Sequence, residues 1–271
     1  MFARSICGEG FPDFYAREVV GEHPACISTT IDAMVEPLYD LLGICFDMNT
    51  IGYRRDENGN PLIEDCQTRM FTDYYMTKQS MQAFKSLYTN RQGLQDKFVE
   101  YWDVTSAKLT SNPYVVGFDP LNEPFPGEPL QDPKLIIPGV MDKTQLAPMY
   151  ERVYERYQAN DAESLMWFEP AEFPDWLPIG NGLVSPVGFQ TPPGGDIGSN
   201  THVVNDHTYC CSLGLSVCAE GEHSIDMKAK CHSFHDKRIT TRDKDAKRLG
   251  IPYVITEFGA CLTEGPCTQE I

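Results

Sequence analysis

Glu123 and Glu257 are the two residues whose setting most directly suggests chemistry. Each ends a short apolar, β-prone run that a turn residue then interrupts: Phe118-Asp119-Pro120-Leu121-Asn122-Glu123-Pro124 and Tyr253-Val254-Ile255-Thr256-Glu257-Phe258-Gly259. Such a run places a carboxylate at the C-terminal mouth of a buried parallel strand. Two carboxyls from distant parts of a chain, here 134 residues apart, are what cleavage of a glycosidic bond requires: one gives a proton and the other attacks. Pro124 lacks an N–H and stops the strand, which leaves Glu123 at the rim. Asn122 beside it offers an amide to a sugar hydroxyl. His207 and Tyr209 lie two apart on a predicted strand and so share a face. A Tyr209 hydroxyl donated to Glu257 would keep that carboxylate ionised and aimed. Each residue also has a plain reading: a strand-end turn at Asn122-Glu123-Pro124, a rim tyrosine, a hydrogen-bonded core histidine. Glu169, before Pro170, reads equally as a cleft residue or as half of a structural ion pair. Trp167, Phe173 and Trp176 read as platforms for a sugar face or lipid, or as core packing, which is the commoner use.

These groups need elements to carry them. Residues 1–66 show little regular periodicity, with turn clusters at Cys7-Gly8-Glu9-Gly10-Phe11-Pro12-Asp13 and Arg55-Asp56-Glu57-Asn58-Gly59-Asn60-Pro61. From Tyr74 to Leu109 the spacing of Ala83, Phe84, Leu87 and Tyr88, then of Leu94, Phe98, Tyr101 and Trp102, predicts helix. Beyond it, strands at 114–118, 165–170, 201–209 and 251–257 alternate with helices at 145–158 and 224–249. Residues 177–201 read as a long Gly- and Pro-rich loop. Alternating strands and helices with continuous apolar strands imply an α/β fold built on a parallel sheet. Polar residues gather at all four strand ends and no Gly-rich phosphate loop is present, so a barrel of the TIM type is favoured over an open doubly wound sheet. A single domain over 1–271 is expected, with a loop-rich and helical lead-in at 1–114 and a repeated βα core at 115–271.

The chain of 271 residues is 41% hydrophobic, enough for a sizeable core, and carries a formal charge of −17. That charge disfavours nucleic acid and anionic surfaces and leaves neutral or cationic partners. No apolar run is long enough for a transmembrane segment. Ten cysteines suggest disulfides and an oxidising compartment, secreted or lysosome-like, yet the first residues lack the apolar stretch of a signal peptide. The Cys and His residues from His207 to His235 are spaced too irregularly for a structural zinc site, so no metal is expected.

At these residues the sequence resembles family five of the glycoside hydrolases, in clan A, and within it the endoglycoceramidases. Cys7-Gly8-Glu9-Gly10-Phe11-Pro12-Asp13 is similar to the segment after that family's third strand. Asn112-Pro113-Tyr114 through Asn122-Glu123-Pro124-Phe125-Pro126-Gly127 is similar to its fourth strand and loop. His207-Thr208-Tyr209-Cys210 and Thr256-Glu257-Phe258-Gly259 are similar to its sixth and seventh. The resemblance implies a (β/α)8 barrel of which this chain holds strands four to seven, an incomplete barrel with Met1 internal to a longer protein. It implies Glu123 as acid/base, Glu257 as nucleophile, and Asn122, His207 and Tyr209 as substrate-binding support. It implies retaining hydrolysis of the bond between oligosaccharide and ceramide, without a cofactor, on a glycolipid reached at a membrane surface. Simpler β-glucosides, or an inactive carbohydrate- or lipid-binding role, are the alternatives. With its outer strands unpaired, the isolated chain is expected to be poorly soluble or inactive.

Overall fold

A computed structural model describes residues 4–8, 11–20, 25–27, 29–42, 44–69, 71–171, 184, 186–209 and 225–259. The chain divides into two compact units, Met1–Gln95 with Phe125–Lys134, and Asp96–Pro124 with Leu135–Ile271.

The first unit is helical: α1 (Asp13–Val20), α2 (Thr29–Leu42), α3 (Ile63–Cys66) and α4 (Lys78–Tyr88). Helix α4 begins where Thr77 caps it, its side chain accepting from the Ser80 N–H at 3.0 Å. Its apolar face buries Met81, Ala83, Phe84 and Leu87. Phe84 packs edge-on against Phe11 and tilted against Phe125. Disulfides Cys7–Cys66 and Cys26–Cys45 cross-link segments of this unit. Helices α1 and α2 correct the expectation of little regular structure before residue 66. Pro37 sits inside α2, and Ile31, Met34 and Leu38 on it are exposed, so neither breaker nor burial signals marked it as a helix.

The second unit holds the sheet. Helix α5 (Leu94–Leu109) leads into β1 (Gly117–Phe118), and α6 (Ala147–Asn160) into β2 (Leu165–Phe168). Then come β3 (His202–Tyr209), α7 (Ile225–Leu249) and β4 (Tyr253–Gly259). The four strands pair in parallel in the order β1-β2-β3-β4, the order of successive strands in a (β/α) barrel. β1 is shorter than expected: Tyr114 and Val116 lie at the surface, and only two residues join the ladder. A Cβ at Gly117 would stand 2.3 Å from the Leu165 carbonyl oxygen, so only glycine lets β1 come this close to β2. Behind the sheet, Phe118, Trp102 and Tyr157 pack ring on ring, and Met149, Tyr150 and Val153 of α6 are fully buried. Among the described residues, no helix is long and apolar enough to cross a membrane.

Candidate active site

β3 is buried from His202 to Thr208 although most of its side chains are polar. Burial on that scale demands partners for each group, and the two faces of the strand find different ones. His202, Asp206 and Thr208 turn one way. The His202 Nε2–H donates to the Pro193 carbonyl at 2.9 Å, and Nδ1 accepts from Ser199 Oγ at 2.7 Å. Burial lowers the His202 pKa below its ordinary value, against the bond to Pro193. Asp206 accepts from Arg238 Nη2 at 2.7 Å and from the Tyr253 hydroxyl at 3.0 Å, and Arg242 Nε lies 3.6 Å away. Thr208 Oγ1 lies 2.6 Å from His235 Nδ1. All three arrangements tie β3 to what stands behind it.

Asn205, His207 and Tyr209 turn the other way, into a cluster of acids. His207 Nδ1 is 3.0 Å from Glu123 Oε1 and 3.5 Å from Glu257 Oε2, while Nε2 is 3.4 Å from Glu169 Oε1. Tyr209 donates its hydroxyl proton to Glu257 Oε2 at 2.7 Å. Asn205 Nδ2 donates to Asp119 Oδ2 at 2.6 Å and reaches Glu169 Oε1 at 3.3 Å, and its oxygen accepts from Thr256 Oγ1 at 2.5 Å. Burial pushes the Asp119 pKa up to about 6, outweighing the bonds from Asn205 and Glu169. One carboxylate oxygen of Glu123 and one of Glu257 lie within 4.8 Å of each other and of a His207 ring nitrogen. Carboxyls about 5–5.5 Å apart suit attack by one of them on the sugar, whereas about 6.5–9.5 Å admits an intervening water. The observed closeness fits the first arrangement. Those three residues are also one of two described groups that could hold a metal ion, although His207 and Glu123 are hydrogen-bonded directly here. The other such group, Cys26, Asp32 and Cys45, has both its sulfurs in a disulfide.

Neither glutamate stands where a regular strand would leave it. Glu123 lies five residues beyond β1, in a loop, with a positive φ of 44° that costs a non-glycine residue strain. Its N–H donates to Glu169 Oε2 at 2.8 Å. Glu257 lies inside β4, which runs on to Gly259. Tyr253, four residues earlier, points to Asp206 behind the sheet, and strict alternation would send Glu257 there too. The pairing with β3 shifts instead: Asp206 is opposite Ile255 but His207 is opposite Glu257, so Thr256 is an extra residue. This β-bulge turns Glu257 to the side of His207 and Tyr209.

Residues 67–271 match the family Cellulase (glycosyl hydrolase family 5). The chain belongs to glycosyl hydrolase family 5. Within the family, an endoglycoceramidase of Cyanea nozakii is 30% identical over 209 residues, covering 77% of this chain and 36% of that protein. An endoglycoceramidase of Hydra vulgaris is 35% identical over 153 residues, covering 56% of this chain and 28% of the relative. The chain thus spans about a third of the length of the curated relatives it matches. The Rhodococcus sp. endo-glycoceramidase II structure with ganglioside GM3 superposes with a TM-score of 0.54 at 18% identity, over 93% of this chain and 56% of that chain. That likeness is one of fold, and the four parallel strands are an incomplete (β/α)8 barrel of the TIM type.

In this family 5 chain, Glu123, Glu257, His207 and Tyr209 meet in one cluster. Asn122 is exposed and makes none of the described hydrogen bonds to that cluster. Glu169 is 1% exposed and sits among Glu123, Asn205 and His207. Phe173, Trp176, Cys210, Cys211, Cys218, His223, Cys261 and Cys267 lie outside the described residues. Sequence reasoning missed Asp119, Asn205 and Thr256. Asn205 was within reach, being two residues before His207 on the same face; the bulge that brings Thr256 in had no sequence signal.

Proposed function

We propose that this chain is the catalytic part of a retaining β-glycosidase that separates oligosaccharide from ceramide in glycosphingolipids. The reading rests on one observation above all: the Glu123 and Glu257 carboxyls face each other beside His207, with oxygens within 4.8 Å. Glu257, held by the Tyr209 hydroxyl, attacks the anomeric carbon as the bond to the ceramide oxygen breaks. Glu123 gives its proton to that leaving oxygen. Water then attacks the glycosyl–Glu257 ester, Glu123 takes the water's proton, and the Glu257 carboxylate is released. The endoglycoceramidase names of the relatives support ceramide as the leaving group. Asn122, exposed at the end of the Glu123 loop, contacts substrate hydroxyls. The disulfides support a secreted or lysosome-like location, and the substrate is met at a lipid surface.

The test uses a fluorescent glycosphingolipid and purified chain. Intact oligosaccharide, released first as the β-anomer by NMR, supports the reading, and Glu123→Gln and Glu257→Gln should each lose at least about 10³-fold in kcat/KM. Release of monosaccharide instead would assign the site to simple β-glucosides. Ligand binding with no turnover, unchanged by either substitution, would leave only a carbohydrate- or lipid-binding role.

A further inference from the structure

Glu169 is a buried carboxyl that the proposed chemistry does not use, yet it touches Glu123, His207, Asn205 and Asp119. It follows β2 directly, and its backbone carbonyl accepts from the Tyr150 hydroxyl of α6 at 3.3 Å, which fixes where the side chain starts. One carboxyl oxygen, Oε2, accepts the N–H of Glu123 at 2.8 Å. The other, Oε1, lies 3.4 Å from His207 Nε2 and 3.3 Å from Asn205 Nδ2. The same Asn205 nitrogen holds Asp119, which also hydrogen-bonds to Glu169. The group so anchored meets Glu123 from two directions. It holds the backbone of a residue strained at φ 44°, and it braces the far edge of the imidazole whose near edge bonds the Glu123 carboxyl at 3.0 Å.

We infer that Glu169 is a positioning residue for the acid/base: its two oxygens hold the Glu123 turn and the His207 ring so that the Glu123 carboxyl meets the leaving-group oxygen. The inference rests on the proposed role of Glu123. Asp119 and Asn205 act one step behind, keeping Glu169 in place.

The test compares Glu169→Ala and Glu169→Gln with Glu257→Gln as the control. Steady-state turnover of the fluorescent glycolipid is read beside the Glu123 backbone amide in ¹H–¹⁵N NMR spectra of the free chain. Glu169→Ala should lower kcat by about 100-fold with KM within threefold, since a misplaced acid weakens the transition state and leaves substrate binding intact. Its Glu123 amide should move upfield and exchange faster with solvent. Glu169→Gln, which keeps one acceptor for the Glu123 N–H and a donor for Asp119, should hold the amide near its native shift and recover at least tenfold of the lost kcat. An unmoved Glu123 amide in Glu169→Ala overturns the inference, whether or not the chain turns over, as does a loss confined to KM. If Glu257→Gln keeps full turnover, the proposed function fails, and the amide shift still decides whether Glu169 holds the turn.

Discussion

The carboxylate of Asp206 supports β3 from behind, and removing its charge should be costly out of proportion to the change in size. It is fully buried, it accepts from Arg238 Nη2 at 2.7 Å and the Tyr253 hydroxyl at 3.0 Å, and Arg242 Nε stands 3.6 Å away. Both arginines are 1% exposed. In Asp206→Asn one oxygen acceptor survives, and an N–H₂ group faces donors. The loss is one charge-assisted hydrogen bond, about 1.5–3 kcal/mol, with the further cost of keeping two buried guanidiniums beside a neutral amide. Removing one partner of a buried ion pair costs about 3–5 kcal/mol in all. With a urea dependence of roughly 3 kcal/mol per molar, the unfolding midpoint of the disulfide-bonded chain should fall by about 1–1.7 M. The triple change Asp206→Leu, Arg238→Met, Arg242→Met removes the charges of these three side chains and should recover most of that loss, because apolar packing replaces a desolvated network at little net cost. Urea titrations followed by far-UV circular dichroism and tryptophan fluorescence measure both. A loss below about 1 kcal/mol in Asp206→Asn, or a triple variant no more stable than the single one, would refute the reasoning.

Tyr209→Phe deletes the 2.7 Å bond to Glu257 and should lower kcat roughly 10- to 150-fold, the equivalent of about 1.5–3 kcal/mol, with little change in KM, as read by glycolipid turnover. Deleting Thr256 removes the extra residue of β4 and returns Glu257 to the side of Asp206; turnover should fall at least about 10³-fold, whereas Thr256→Ser, which keeps the hydroxyl to Asn205, should stay within about tenfold. His202 has a folded-state pKa below the ordinary 6.5, so its contribution to stability is complete above that value and is lost as pH falls through it; denaturant midpoints of the native chain minus those of His202→Phe should decline from pH 7.5 to 5.5. Replacing Cys7 and Cys66 with alanine frees a loop closed over a separation of 59 residues and should cost about 2–4 kcal/mol in the urea titration.

The strands and long helices of the second unit were legible because burial imposes a period on them. The apolar residues of α6, at Met149, Tyr150, Val153 and Tyr157, fall on one stripe because that stripe is the buried one. β2 shows as a short apolar run in which Met166 and Phe168 are fully buried, and β3 is buried along its length although most of its side chains are polar. In the first unit the same signal marks α4 but fails for α2. Helix α2 leaves apolar side chains in solvent, and two disulfides supply part of the cohesion that a core would otherwise provide. The site residues were found differently. Glu123, Glu257, His207 and Tyr209 stood out by chemical type at strand ends, whereas Asp119 and Asn205 lie within the runs and show their use through each other, Glu169 and Thr256.

Periodicity also could not say how the two glutamates reach each other, because both do so by departing from it. Glu123 adopts a left-handed turn in a loop, and Glu257 follows an inserted residue that reverses its face. Regular strand geometry would send the Glu257 carboxylate toward Asp206 and its two arginines, where it would be useless for chemistry. Each departure is held by a side-chain hydrogen bond: the Glu123 N–H donates to Glu169 Oε2, and Thr256 Oγ1 donates to Asn205. Both bonds converge on Asn205 and Glu169, which contact each other at 3.3 Å. A single buried polar pair thus fixes the irregularities on both sides of the cleft. A change at either residue should therefore disturb both glutamates together, whereas a change at Tyr209 should disturb Glu257 alone.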